Sequence, residues 1–315
     1  MISCKKILVL LLVLIPVVSV CAESDVESNT SVSLTISSLP EAKLTFTQSF
    51  TVPFLQGENF LVSGNNIKFS LSGELTPISM NLKNEIVLTP VAVMQIVAGG
   101  MIGSGWNANL FGGEVRGIGI NRRDVLGLTS VDGSPFDSMF TEGHFGGALQ
   151  FDLAAVIPGD WNHILLRTYH EAGYMSYGRA APGDPWFYEN DFGENQNGWN
   201  YYGNYLLGYQ MPQKPIFLDT VALLSEMYKY LYDTPNGSKW QDALGRWEFS
   251  LVMNFAFTEK FSTALITQFR TLRRFNEYHY KKGEDNMFYQ DRTMEDGNAR
   301  ELRFYRVAAI IRYSF

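Results

Sequence analysis

Tyr305-Arg306-Val307-Ala308-Ala309-Ile310-Ile311-Arg312-Tyr313-Ser314-Phe315, the last eleven residues, separate into two sets when read in steps of two. Phe315, Tyr313, Ile311, Ala309, Val307 and Tyr305 form an apolar set with aromatic residues at both ends, and Ser314, Arg312, Ile310, Ala308 and Arg306 fall between them. Successive strand side chains point to opposite faces, so the segment predicts a ribbon with one oily and one wet side. An edge strand of a soluble sandwich can imitate this for about five residues, but rarely for eleven.

The same rhythm recurs upstream. Trp247, Phe249, Leu251, Met253, Phe255 and Phe257 alternate with Arg246, Glu248, Ser250, Val252 and Asn254. Trp199 through Met211, Phe145 through Ala155 and Ile67 through Leu71 repeat it. Helix faces recur every 3.6 residues, so these period-two segments argue for strands. Composition agrees. Aromatic residues make up 14% of the chain, yet mean hydropathy is −0.07, as expected where apolar residues are dispersed in alternation and not gathered into helical spans. No segment after the N-terminal run reaches the roughly 18 uninterrupted apolar residues of a membrane helix.

Residues 1–22 carry Lys5 and Lys6, an apolar run from Ile7 to Val18 and the small-residue site Val20-Cys21-Ala22, the layout of a secretory signal. Twelve apolar residues are too few for a membrane anchor. Lipid attachment at Cys21 is a second reading, made awkward by Val20. Cleavage after Ala22 removes both cysteines and leaves a formal charge of −9, so no disulfide holds the exported chain, and the acidic balance argues against nucleic acid as a partner. The Ser/Thr-rich stretch 23–40 reads as a flexible leader or an extra strand, and 41–315 as one domain.

The ending Tyr313-Ser314-Phe315, with alternating apolar residues before it, resembles the C-terminal strand of bacterial outer-membrane β-barrel proteins. The resemblance extends to the signal and the general rhythm and identifies no specific family. It implies an all-β, transmembrane, antiparallel up-and-down barrel in the bacterial cell outer membrane, embedded in lipid, with Tyr313 and Phe315 as the sorting signal read by the barrel-assembly machinery. Placing the C-terminus on the periplasmic side puts short turns at 258–260, 211–215, 157–160, 121–124 and 76–78, and long loops at 178–197, 233–244 and 281–299. About twelve strands result; ten or fourteen also fit. Three positions strain this count: Pro90 inside a strand from Ile78 to Gly99, a faint strand from Asp124 to Val131, and Asp219 on the lipid face.

The inward set then holds the function. Arg246, Glu248, Gln268, Arg270, Arg274, Arg306 and Arg312 come from the C-terminal strands, and Lys43, Lys68, Glu74, Asp152, Arg167 and Glu171 from the rest. One reading is a charged constriction in a porin-like channel for small solutes, and another is charges that only pair across a packed interior. A non-conducting adhesin or structural envelope barrel is the alternative function. No enzymatic activity is expected. His170 has no matching serine on a neighbouring strand, and His279, Asp285, Asp291 and Asp296 have ordinary loop composition. No cofactor or metal site is expected either, because the mature chain lacks cysteine and has no His pair at ligand spacing, and the acidic loop 184–194 lacks an ordered calcium pattern. Gly99, Gly100, Gly103 and Gly105 do not match a dinucleotide fingerprint and read as a loop tip. The aromatic cluster Trp186, Phe187, Tyr188, Phe192, Trp199, Tyr201 and Tyr202 reads as an outer girdle or, less simply, as a ligand-accepting mouth.

Overall fold

The computed structural model describes residues 26–39, 41–110, 113–123, 129–132, 136, 138–181, 186–189, 195–212, 217–231, 245–273, 275–282, 288–294 and 300–315. The expected signal 1–22, Asp184, Phe192, Arg274, the loop 233–244 and most of the loop 281–299 lie outside the described residues, and the side chains of 275–282 and 288–294, His279 among them, are not described. Twelve strands close into one antiparallel barrel: β1 (Glu27–Ser37), β2 (Glu41–Pro53), β3 (Asn66–Thr76), β4 (Ser79–Val91), β5 (Met94–Gly105), β10 (Phe140–Asp152), β11 (Ile164–Tyr177), β13 (Gly198–Gln210), β14 (Leu218–Tyr230), β15 (Arg246–Ala256), β16 (Phe261–Arg273) and β19 (Arg300–Ser314). The seam is β1 against β19, with Val32 opposite Tyr313 and Leu34 opposite Ile311, so every barrel strand has two neighbours and no edge is left open.

Pairing register keeps like faces together around the ring. Leu166 lies opposite Phe151 on one side and Leu207 on the other, Leu207 opposite Leu223, and Leu223 opposite Leu251. These side chains point outward and remain exposed, from 38% for Phe151 to 58% for Leu223. A soluble protein hides such a surface; a bilayer accommodates it, and closure satisfies the backbone groups that lipid cannot. Aromatic residues flank the band. Tyr174 and Trp199 meet edge to face near one rim, and Phe217, Phe257 and Phe261 cluster at the other. From Trp199 to Tyr209 is ten residue steps along β13, roughly 33 Å of strand, or roughly 25 Å of height once strand tilt is included. That is the thickness of the apolar band of an outer-membrane barrel.

The number of strands matches the expected twelve, but the membership differs. The stretch 78–99 is two strands, β4 and β5, folded back at Ala92-Val93, and Pro90 sits at the end of β4 where the register shifts between Leu88 and Val91. A missing N–H costs little there. Nothing in Val91-Ala92-Val93-Met94 signals a turn in the sequence, since the run is apolar throughout; the Ala92 N–H is instead held by the Leu61 carbonyl of the neighbouring connection. Conversely, residues 121–123 belong to β8 (Ile118–Arg123) and 129–132 to β9 (Thr129–Asp132), outside the barrel wall. Glu27–Ser37 supplies the twelfth strand. The extra turn reverses the polarity of the N-terminal strands, so the Pro77-Ile78 turn lies at the long-connection end and 54–65 at the end that carries both chain termini.

Two bulges correct individual residues. The shift between Leu218 and Thr220 turns Asp219 from the expected lipid face so that its carboxylate accepts from Thr220 Oγ1 (2.9 Å) and from Asn254 Nδ2 (3.4 Å) on the inner face. A second bulge, between Gln268 and Phe269 in the pairing with β19, gives the outer position to Phe304 and brings Tyr305 against Arg270. Each extra residue rotates the chain past its partner and re-aims a side chain, sparing a carboxylate or phenol the cost of facing lipid.

At the long-connection end, β8, β9 and β12 (Trp186–Tyr188) form a separate three-stranded sheet. Trp186, Tyr177, Phe140, Ile118 and Ile120 are buried together there, with Met101 and Met175 of the barrel wall packed against them. Because Phe140, Met101, Met175 and Tyr177 are inward positions of β5, β10 and β11, this small core sits within the mouth as a lid. A hairpin of β6 (Ala108–Leu110) and β7 (Gly113–Val115) adjoins it in sequence, and β17 (Phe275–Lys282) pairs with β18 (Phe288–Met294) beyond β16.

Candidate functional site

Among the expected inward residues, the described ones all fall on the inner face, and those of the C-terminal wall form a connected network. Arg306 donates from Nε to Gln268 Oε1 (2.9 Å) and from Nη1 to Glu41. Gln268 Nε2 donates to Glu248 Oε2 (2.9 Å), and Arg270 Nη2 donates to Glu248 Oε1 (2.9 Å). The Arg270 guanidinium also lies 3.1 Å from the Tyr305 ring centroid. Glu248, Gln268 and Arg270 are buried, and the opposite charges of Glu248 and Arg270 compensate each other within the wall itself. Arg246 lies over the ring of Tyr228 at 5.1 Å. Arg312 is exposed inside the opposite end, between Ser33 and Ser262. At that end, too, Asp152 Oδ2 is 2.7 Å from His163 Nδ1, and Arg167 bonds Asn204 (3.3 Å) and lies 5.3 Å from the Tyr169 ring.

The wall half a circumference away differs in character. β10 is six strands from β19 in the ring, and β5 six from β16. It presents Glu142 and His144 from β10 and Glu171 from β11. Between the two walls runs a tyrosine belt. Tyr169 and Tyr202 meet at 6.1 Å and Tyr202 and Tyr228 at 4.9 Å, while Glu226 accepts from Tyr202 (2.7 Å) and Glu171 from Tyr169 (2.5 Å). Tyr169 is buried with Val97 and Ala148, lying across Gly146, where a β-carbon would meet its hydroxyl at 2.9 Å. The interior at this level is therefore narrowed by packed rings.

The lid is tied to the far side by a residue the sequence did not single out. Glu189 follows β12 in the left-handed conformation (φ 53°), an uncommon state for a non-glycine residue. Its carboxylate accepts from Ser79 Oγ (2.7 Å), Asn81 Nδ2 (3.4 Å) and Lys43 Nζ (3.4 Å). Tyr188 donates to Asn81. Lys43 in turn is 3.7 Å from Glu74, which holds Lys83 at 2.8 Å. The lid thus bridges β11 and β13 to β2, β3 and β4, nearly the full width of the mouth. Period two revealed Lys43, Glu74 and Arg306 as inward, but no local signal marks Glu189 as the partner of Lys43 and Ser79, or Glu41 as the partner of Arg306.

The aromatic cluster read as one girdle separates into three. Trp186, Phe187 and Tyr188 belong to the lid, Trp199 and Tyr201 face outward, and Tyr202 faces the lumen. His170, outward on β11, is hydrogen-bonded to Thr168 Oγ1 (2.8 Å) and Tyr201 Oη (2.5 Å), a satisfied lipid-facing polar group with no serine among its described hydrogen-bond partners. A concavity of about 980 Å³ is lined mainly by outward residues such as Leu166, Leu207, Leu223 and Phe249, so it opens on the outer face.

A closed antiparallel barrel with an apolar exterior, a charged interior and a lid in one mouth is the architecture of a membrane-spanning β-barrel. No protein-family model matches the sequence, and no curated protein matches it. Among solved structures, the chain is similar to a NanC porin in a rhombohedral crystal form, at 8% identity over 91% of this chain and 98% of that one, with a TM-score of 0.38. It is also similar to OmpT, an in-vitro folded outer-membrane protein of Vibrio cholerae in a trimer form, at 7% identity over 93% and 99% of the two chains, with a TM-score of 0.35.

Proposed function

We propose that this protein is an outer-membrane channel for small solutes, with its long connections outside the cell and the lid of β8, β9 and β12 restricting the outer mouth. The observation that carries the reading is the contrast between a wall whose arginines, Arg306 and Arg270, are paired with Glu41 and Glu248, and a wall four to six strands away in the ring of twelve where Glu142 and Glu171 have no paired arginine or lysine among the described residues. Unpaired carboxylates facing a charge-compensated wall across a narrow lumen set a transverse field that orients and selects passing solutes. Tyr313 and Phe315 serve as the assembly signal, and acyl chains of the surrounding lipid fill the outer concavity. Planar-bilayer recording of the refolded chain tests the reading. Discrete openings are expected, with the reversal potential in a salt gradient shifted in opposite directions by Arg306→Gln and Glu142→Gln. Silent insertion would establish the non-conducting surface barrel instead.

A further inference from the structure

We infer that Glu142, His144 and Glu171 form a binding site for a divalent transition-metal ion on the inner wall, directly beneath the lid. Alternation along β10 turns Glu142 and His144 inward, and the antiparallel register sets Glu171 of β11 opposite Gly146, one inward step from His144. One potential ligand atom from each of the three lies within 4.8 Å of the others. The 4.0 Å between His144 Nε2 and Glu171 Oε2 is too long for a hydrogen bond. It suits two ligands of one ion, since bonds of about 2.1 Å set ligand atoms about 3.0–4.2 Å apart, and a small side-chain adjustment brings in the third.

Three further observations favour a cation. Glu142 has no hydrogen bond or ion pair among the described residues, and Lys83 on β4, the nearest basic side chain by register, is held by Glu74 at 2.8 Å. Two carboxylates therefore face one imidazole without a paired cationic side chain. Second, the residues opposite His144 on both neighbouring strands are glycines, Gly99 and Gly173; a β-carbon at Gly99 would meet His144 Nε2 at 2.6 Å. Glycine at 99 keeps that position open for the ring. Third, Tyr169 donates to Glu171 Oε2 at 2.5 Å, the kind of outer contact that fixes a ligating carboxylate. One nitrogen and two carboxylates suit Zn²⁺, Co²⁺ or Mn²⁺ better than Ca²⁺, which takes about six to eight oxygen ligands. The site lies next to Phe140, the inward residue of β10 that belongs to the lid core, so a bound ion places positive charge under the lid.

The inference does not depend on conduction. The test is titration of the untagged, refolded full-length chain in detergent micelles with Co²⁺, followed by its visible absorption, and with Zn²⁺, followed by calorimetry. One ion per chain is expected, with at least a tenfold loss of affinity in Glu142→Gln, His144→Gln and Glu171→Gln, each confirmed as folded by heat-modifiable gel migration. If His144→Gln does not fold, Glu142→Gln decides, because that carboxylate makes no hydrogen bond among the described residues. His163→Gln, which removes the His163–Asp152 pair at the opposite end, is expected to leave binding unchanged. The proposal is overturned if the folded wild-type chain shows no saturable binding, if Glu142→Gln binds as tightly as wild type, or if His163→Gln abolishes binding.

Discussion

The two facing walls of the barrel solve the same problem in opposite ways. On β15, β16 and β19, arginines sit among their own counter-charges, in a chain from Glu41 through Arg306, Gln268, Glu248 and Arg270 to Tyr305. On β10 and β11, Glu142 and Glu171 converge on His144 with no arginine or lysine paired to them among the described residues. The first wall supplies its own counter-charges. The second retains carboxylates without a paired cationic side chain, which a buried surface tolerates when a proton, water, solute or an ion supplies the balance. The comparison teaches that charge in a lumen is not one property: where it is paired it holds the wall, and where it is unpaired it is available to a ligand.

The largest effect should come from breaking the paired wall. Glu248→Ala removes the carboxylate from a buried Arg270 and should cost about 3–5 kcal/mol, read as a lower urea midpoint for unfolding from lipid vesicles. An unchanged midpoint would show that the network contributes nothing to stability. Next, Glu189→Gln weakens the bonds from the lid to Ser79 and Lys43 and should cost about 1–2 kcal/mol locally, seen as faster proteolysis of the loops without loss of the heat-modifiable barrel. A smaller effect, about threefold in cation-over-anion permeability or about 0.6 kcal/mol, is expected of Arg306→Gln, with Glu142→Gln changing it in the opposite sense; changes of the same sign would remove the distinction between the walls. Smallest of all, Phe315→Ala should alter folded stability by less than about 0.5 kcal/mol, since the side chain is 68% exposed and its N–H to Thr30 survives, while delaying assembly in cells.

The barrel was legible because period two is a local signal. Alternation in 306–314, 247–256 and 145–152 assigned inner and outer faces that the pairing register reproduces from strand to strand, while Leu153–Ala155, read as continuing the strand, turns as a single 3-10 turn. The signal failed where a single residue broke the period. The bulge at Tyr305 and the one at Asp219 moved side chains across the wall, and the unmarked turn at Ala92-Val93 changed which end each N-terminal strand faces. A turn held by a distant carbonyl, Leu61, leaves no trace in its own residues.

The site divides along the same line. The sequence by itself determined the fold class, and that Arg246, Arg270, Arg306, Arg312, Asp152 and Arg167 point inward, because facing follows from position along one strand. Only the tertiary structure decided who meets whom. Arg306 finds Glu41 across 265 residues, Glu189 crosses the mouth to Lys43 over 146, and Glu171 reaches Glu142 and His144 only through the β10–β11 register. Such partnerships depend on shear, closure and the path of a loop, which are properties of the whole ring and of no segment within it.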